Sequence, residues 1–227
     1  MEAIIMAGGK GTRLLPYTAE IPKPLLPVGD RPILAIILEQ LRAHGFNDVT
    51  LCVGYMAELI ESFVGDGSRL GLRVGYSRES MPLGTVGALA LIDRPEDPFL
   101  VMNGDVLTDL DYGDMMQWHR NSEADMTMAV RNMPIVLPYG SPQVREDLLI
   151  TSFLEKPTMG LDVNMGIYAV NPSLIDYITI GKRIGMDMLV RALIQNGKTV
   201  KAYRHSGMWL DIGSHEDYKL ANSAQDA

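Results

Sequence analysis

Glycine and cationic residues are concentrated in Met6-Ala7-Gly8-Gly9-Lys10-Gly11-Thr12-Arg13-Leu14, and Pro22-Lys23-Pro24 follows shortly after. Glycine has no Cβ to hold an oxyanion away, so a loop running from Ala7 through Gly8, Gly9 and Gly11 to Thr12 can bring backbone N–H groups close to phosphate oxygens. Lys10, Arg13 and Lys23 add three fixed positive charges within the same short segment. These residue types at this spacing make a site for a polyphosphate.

The spacing departs from the two commonest phosphate loops. Leu14 stands where a G-x-G-x-x-G fingerprint needs its third glycine, and no Gly-Lys-Ser/Thr enters a helix. Pro16, Pro22, Pro24, Pro27 and Pro32 forbid a continuous helix until after about Arg31. The segment from Ala7 to Arg31 is therefore expected to be a long, stiffened loop, and loops of that length usually carry function. A second candidate is Asn103-Gly104-Asp105, which follows the apolar run Phe99 to Met102. A carboxylate at a strand's C-terminal end, beside a flexible glycine, either caps a turn or holds Mg²⁺ against phosphate oxygens.

These residues need elements to position them. Glu2 to Met6 reads as a buried strand, and Pro32 to Leu41 as a helix with proline in its first turn and Gly45 beyond its end. Val49–Val53, Leu72–Tyr76 and Phe99–Met102 read as strands, and Glu58–Val64 and Thr85–Ile92 as helical stretches. This alternation is the mark of a parallel sheet covered on both faces. Past residue 120 it weakens. Met126–Val130, Leu149–Leu154, Val163–Val170 and Val200–Tyr203 read as strands, with a helix around Met186–Gln195 and a short one opened by Ser214. Pro134, Pro138 and Pro142 are expected to break an irregular excursion between them, and the Ala221–Ala227 tail is expected to fray. Asp109, Asp111 and Asp114 are expected to begin and cap a helix. Ligands of open α/β sheets bind outside the carboxyl ends of the strands, where both the Gly8 loop and the turn after Met102 lie.

With 227 residues and 47% hydrophobic content, the chain can fill one large core. Area scaling gives about 10,000 Å² exposed when folded against about 36,000 Å² unfolded. A net charge of −8 argues against general nucleic-acid binding. The single cysteine, Cys52, lies in an apolar run and reads as a core residue, not as half of a disulfide or a nucleophile. His44, His119, His205 and His215 lack metal-ligand spacing and read as helix-terminal or surface residues. No apolar stretch reaches membrane-spanning length and no signal peptide precedes the first strand, so a cytoplasmic protein without a membrane partner is expected.

Gly8-Gly9-x-Gly11-Thr12-Arg13-Leu14 with Lys23-Pro24 downstream resembles the signature of the sugar-1-phosphate nucleotidylyltransferases. The resemblance extends from Glu2 to about Tyr218. It implies a Rossmann-like, predominantly parallel mixed α/β sheet with helices on both faces, as one domain with a nucleotide half (1–110) and a sugar half (111–227). It also implies transfer of a nucleoside monophosphate to a sugar 1-phosphate, with Arg13 and Lys23 as catalytic residues. By the same resemblance Ala7, Gly8, Gly9, Gly11, Thr12 and Gly104 bind the nucleotide, and Asp105 and the Asp211 of Trp209-Leu210-Asp211-Ile212-Gly213 hold Mg²⁺.

Glu155-Lys156-Pro157 resembles the family's E-K-P motif, which implies that Glu155 binds sugar hydroxyls and Lys156 the sugar phosphate; by its residues alone it could be a surface turn. Asn164 in Asn164-Met165-Gly166-Ile167-Tyr168 and the Tyr139-Gly140 pair match further sugar contacts. Leu83-Gly84-Thr85-Val86-Gly87 resembles the base-reading loop of mannose-1-phosphate guanylyltransferases, which implies GTP as the nucleotide substrate. Heptose-1-phosphate guanylyltransferases and N-acetylmuramate-1-phosphate uridylyltransferases share similar features. Members with a C-terminal left-handed β-helix run well beyond this length, so an oligomerisation or acyltransferase role of that domain is not expected. A monomer or small homo-oligomer is implied.

Overall fold

The computed structural model describes residues 1–79 and 81–223. Its first half alternates as the apolar pattern requires: β1 (Glu2–Met6), the ribbon β2 (Pro27–Val28) and β3 (Arg31–Pro32), α1 (Ile33–Ala43), β4 (Asp48–Val53), α2 (Ala57–Val64), β5 (Arg73–Arg78), α3 (Gly84–Gly87) and β6 (Phe99–Asn103). Then come β7 (Val106–Thr108), α4 (Tyr112–Asn121), β8 (Met126–Val136), β9 (Ser141–Val144), β10 (Ile150–Leu154), β11 (Thr158–Val170), α5 (Met186–Gln195), β12 (Val200–Arg204), β13 (Trp209–Asp211) and α6 (His215–Ser223).

Seven strands form the main sheet in the order β12-β8-β11-β6-β1-β4-β5. All neighbours run parallel except β11, which is antiparallel to both β6 and β8. This is the expected mixed α/β sheet. Successive side chains of a strand point to opposite faces, and the core divides accordingly. Ala3 and Ile5 of β1 join one cluster with α1, α2 and α4, while Ile4, between them, joins the other with α3 and α5. Along α1, Ile33, Leu34, Ile37, Leu38 and Leu41 are all fully enclosed. Each contributes about 1.5–3 kcal/mol of burial.

Several expectations change. The Ala7–Arg31 segment is not wholly irregular: it contains 3₁₀ turns at Thr12–Leu14 and Lys23–Leu25 before the β2–β3 ribbon. The stretch around Pro134, Pro138 and Pro142 is irregular only at the bend that holds Pro138. Pro134 lies inside β8 opposite Gly160 of β11, and Pro142 lies in β9 opposite Phe153 of β10. β12 pairs with β8 only as far as Val130, so beyond that point the outer edge of β8 has no strand to receive a donor and proline's missing N–H costs little. The tail is better held than expected up to Ser223, because Ala221 is buried in α6; the remainder, 224–227, lies outside the described residues. Among the described residues, no helix is long and apolar enough to cross a membrane.

Candidate active site

β1 has β4 on one side and β6 on the other, so the chain winds outward from β1 and then returns across it. Such a reversal leaves a crevice at the carboxyl ends of the two central strands. Two loops emerge there side by side, one from Met6 and one from its register partner Asn103. They are tied together where the Gly104 N–H donates to Met6 O at 2.9 Å. A Cβ on Gly104 would sit 3.0 Å from that same oxygen. The glycine is thus a packing requirement, and Asp105 follows it directly.

The cationic loop folds back on this point. Gly11 adopts φ 61°, a conformation that favours glycine, and its carbonyl accepts from Thr18 Oγ1 at 2.8 Å. Thr18 is buried beneath the loop and was not singled out by its sequence. The Lys23 backbone starts a 3₁₀ turn, which sends its nearly enclosed side chain onto Asp105 Oδ2 as an ion pair. The other carboxylate oxygen, Asp105 Oδ1, is buried and has no hydrogen-bond partner.

Asp211 reaches the same place from the far end of the chain. β13 pairs antiparallel with β7 so that Asp211 lies opposite Val106, and the Ile212 N–H donates to Asp105 O at 3.0 Å. Although solvent still reaches Asp211, desolvation by the surrounding protein raises its pKa, and the nearby Asp105 carboxylate raises it further. Lys23 and Arg13 act in the opposite direction. Arg13 therefore belongs to this constellation, and its guanidinium lies over Gly213, where an added Cβ would be 3.4 Å from Nη1. Two neighbouring carboxylates, one with an orphaned buried oxygen, fit a hard divalent cation. Among the described residues no group of three or more His, Cys, Asp or Glu side chains forms a metal cluster. The pair suits an ion such as Mg²⁺, which completes its shell with phosphate oxygens and water.

The remaining candidates fall into three groups. Asn164 stands near the carboxylates: its Oδ1 accepts from Gly166 N at 2.9 Å, its Nδ2 donates to Tyr168 OH at 2.6 Å, and burial raises the Tyr168 hydroxyl to about 12 with a further contribution from Asp211. Trp209 Nε1 donates to Met165 O at 3.0 Å and pins β13 to this segment. The Leu83–Gly84–Thr85 loop is clamped from below, since Ile184 N donates to Leu83 O at 2.8 Å and Val86 N to Ile184 O at 3.1 Å. Glu79 joins it to the phosphate loop. Its Oε2 accepts from Leu83 N at 2.9 Å, and its Oε1 would be 3.3 Å from a Cβ on Gly8. The only sequence signal for Glu79 was an acidic residue directly after a strand.

Tyr139, Gly140, Glu155 and Lys156 form the third group, on the projecting β8–β11 arm. Gly140 packs against Phe153 and Glu155, so these are mutual neighbours. All but the half-buried Gly140 are exposed, and among the described residues Lys156 makes no ion pair. The structure does not join them to Asp105 by any direct bond.

Other expectations resolve locally. Asp111 caps α4 by accepting from Asp114 N, but Asp109 pairs with His205 at 2.7 Å instead of opening the helix. His119 is helix-terminal, as one of the two expected roles had it, in the last turn of α4, but it is enclosed and not at the surface, because Thr127 and Asn171 satisfy both ring nitrogens. Cys52 is buried, and desolvation pushes its thiol up to about 12.

A family profile described as nucleotidyl transferase matches residues 2–226. A UTP–glucose-1-phosphate uridylyltransferase of Synechocystis is 36% identical, with 96% of this chain and 61% of that protein aligned. The mannose-1-phosphate guanylyltransferase of Mycobacterium tuberculosis is 34% identical over 96% of this chain and 62% of its own length. The chain thus spans about three fifths of the length of these curated relatives. Among solved structures, HddC of Yersinia pseudotuberculosis complexed with GMP-PN superposes with a TM-score of 0.76 at 28% identity, covering 99% of both chains. The crevice of cationic loop and paired carboxylates, in a chain that the profile matches over nearly its whole length, places the protein in the nucleotidyl transferase family.

Proposed function

We propose that the protein transfers a nucleoside monophosphate from a nucleoside triphosphate, with GTP preferred, to a sugar 1-phosphate of mannose or heptose type. The observation that carries this reading is the convergence of Arg13 and Lys23 on Asp105 and Asp211 at the ends of β1 and β6. The attacking group is a phosphate oxygen of the sugar 1-phosphate. It displaces pyrophosphate from the α-phosphorus in line, and most of the catalysis is positioning and charge neutralisation.

In this reading the backbone from Ala7 to Thr12 cradles the triphosphate. Arg13 and Lys23 stabilise the charge that grows on the α-phosphate and the departing pyrophosphate, and Lys23 exchanges its Asp105 partner for phosphate oxygens. Mg²⁺ held by Asp105 and Asp211 would supply further neutralisation of the phosphate oxygens. Leu83, Gly84 and Thr85 face the base, and Gly104 allows close approach beside it. Asn164, Tyr139, Gly140 and Glu155 face the sugar, and Lys156 holds its phosphate. Residues 1–110 serve the nucleotide and 111–227 the sugar.

The guanine preference is supported by the Leu83–Gly87 loop and by the GMP-PN bound in HddC. The uridylyltransferase from Synechocystis favours the alternative, a pyrimidine nucleotide on the same scaffold. Pyrophosphate release with Mg²⁺, crossing GTP, UTP, dTTP, CTP and ATP against a panel of sugar 1-phosphates, separates them. GTP-dependent release with a manno-configured hexose or heptose phosphate is expected. Release only with a pyrimidine triphosphate overturns the base assignment, and silence throughout despite nucleotide binding favours a sugar outside the panel or a regulatory nucleotide-binding subunit.

A further inference from the structure

The loop carrying Leu83, Gly84 and Thr85 is held by main chain from far along the sequence. Ile184, just before α5, bonds to it twice: its N–H donates to Leu83 O at 2.8 Å, and its carbonyl accepts from Val86 N at 3.1 Å. The same stretch of main chain presses on two glycines. A Cβ on Gly84 would lie 2.7 Å from Ile184 O, and a Cβ on Gly87 would lie 2.9 Å from Lys182 O. Both obstacles are backbone carbonyls, which cannot swing aside as the end of a long side chain does. Loop and clamp also share a foundation. Val86 is buried in one core cluster with Met186, Leu189 and Leu193 of α5, and Ile184 packs against it. Glu79 Oε2 takes the Leu83 N–H at 2.9 Å, so both main-chain groups of Leu83 are engaged.

The two glycines report different things. Gly84 adopts φ 78°, a conformation that favours glycine whatever surrounds it. Gly87 has φ −60° and ψ −27°, ordinary helical backbone in which alanine is the preferred residue. Its own conformation does not call for glycine; its neighbours do. A Cβ there would be wedged between Lys182 O and Leu83 Cβ, the latter at 2.8 Å. To pass from 2.9 Å at Lys182 O to an ordinary contact of 3.4 Å, loop and clamp must part by about 0.5 Å. A misplacement of about 1 Å can cost on the order of 10²-fold where reacting groups must be aligned.

We propose that the Lys182–Ile184 main chain sets the base selectivity of this protein by fixing the position of the Leu83–Thr85 loop. Gly87 and Ile184 are then positioning residues, which act through the loop. The inference rests on the reading of that loop as base-facing. Hydrogen bonds to a base edge discriminate only when donors and acceptors are aligned, because a mismatched base leaves a polar group unpaired. A loop that is pushed off its clamp loses that alignment for the base it fits, and loses little for a base it already fits poorly. Ile184 lies in the half assigned to the sugar, so recognition of the base extends beyond residues 1–110.

The test is isothermal titration calorimetry with GTP and with UTP in Mg²⁺, without sugar phosphate, on the parent and on Gly87→Ala. Helical backbone at 87 suits alanine, so the variant should fold, with an unchanged far-UV spectrum and an unchanged KM for the sugar 1-phosphate. Its dissociation constant for the triphosphate that the parent prefers should rise at least about 10-fold, and that for the other much less, so that the preference collapses. A general structural defect would weaken both alike. Ile184→Pro deletes the N–H that Leu83 O receives and, in a folded preparation, should lower the same preference. A Gly87→Ala chain that keeps the parent's preference, or loses affinity for both nucleotides equally, overturns the proposal whatever Ile184→Pro does. A parent that prefers UTP overturns the guanine reading alone, since Gly87→Ala must then lose that preference instead. A parent that binds neither triphosphate, or both alike, overturns the reading of the loop and this inference with it.

Discussion

Lys23 is the least exposed charged side chain at the crevice, and its ammonium rests on a carboxylate that must also face the metal and phosphates in the proposed reaction. Lys23→Ala is expected to lower turnover by roughly 10²–10³-fold, in the range found when a donor to a developing oxyanion is removed. The fold should persist; near-normal turnover in steady-state assays would take Lys23 out of the mechanism. The opposite balance holds at Asp211, whose ionised form is disfavoured by desolvation and by Asp105. Asp211→Asn removes that repulsion while taking away one proposed cation ligand. Without divalent cation the variant should melt no lower than the parent, and with Mg²⁺ its turnover should fall by at least about 100-fold. Thermal melts and turnover measured on one preparation check both arms, and a destabilised but active variant would sink the assignment.

Among the elements, the two parallel strands β1 and β6 align the phosphate loop with Asp105, and the antiparallel β7–β13 pair brings Asp211 to meet them. α4 serves the same sheet from behind through His119, whose ring is held by Thr127 of β8 and by Asn171 just after β11. Desolvation lowers the pKa of His119 below its ordinary 6.5. Above that value the imidazole is neutral in both folded and unfolded chains. Between 6.5 and the lower folded value only the unfolded chain takes up the proton, so stability is lost as pH falls through that window. Denaturant titrations are expected to show a loss approaching about 1.4 kcal/mol per pH unit from this group. In His119→Gln that component should vanish; an unchanged pH slope would show that His119 does not cause it.

At the scale of the whole molecule, folding and ligand binding are linked, because the crevice is assembled from residues as distant in sequence as Arg13 and Asp211. A nucleotide that binds the folded chain alone, supplied at 100 times its dissociation constant, stabilises by about 2.7 kcal/mol. For a chain of this size that corresponds to about 5–10 °C in melting temperature. GTP with Mg²⁺ is expected to give such a shift and Lys23→Ala to lose most of it. An equal shift in the variant would separate nucleotide binding from the Lys23–Asp105 pair.

Much of this was decided locally and so could be read from the sequence. The Gly8–Arg13 loop is legible because glycine and cation types report directly on close approach and charge. β1, β4 and β6 are legible because strands buried on both faces must be apolar throughout. α5 runs from Met186 to Gln195, as its spacing predicts. Other features depend on what lies alongside. Pro134 stops no strand, because the edge it faces is unpaired beyond Val130. His119 is a core residue through partners 8 and 52 positions away. Glu79 and Thr18 became visible only once the loops they hold were folded against them. The sequence by itself determined which residues carry charge, turn tightly or must be buried, since those follow from side-chain chemistry. Only the tertiary structure decided which of them meet, because the pairing of β1 with β6 and of β7 with β13 joins segments that no local pattern relates.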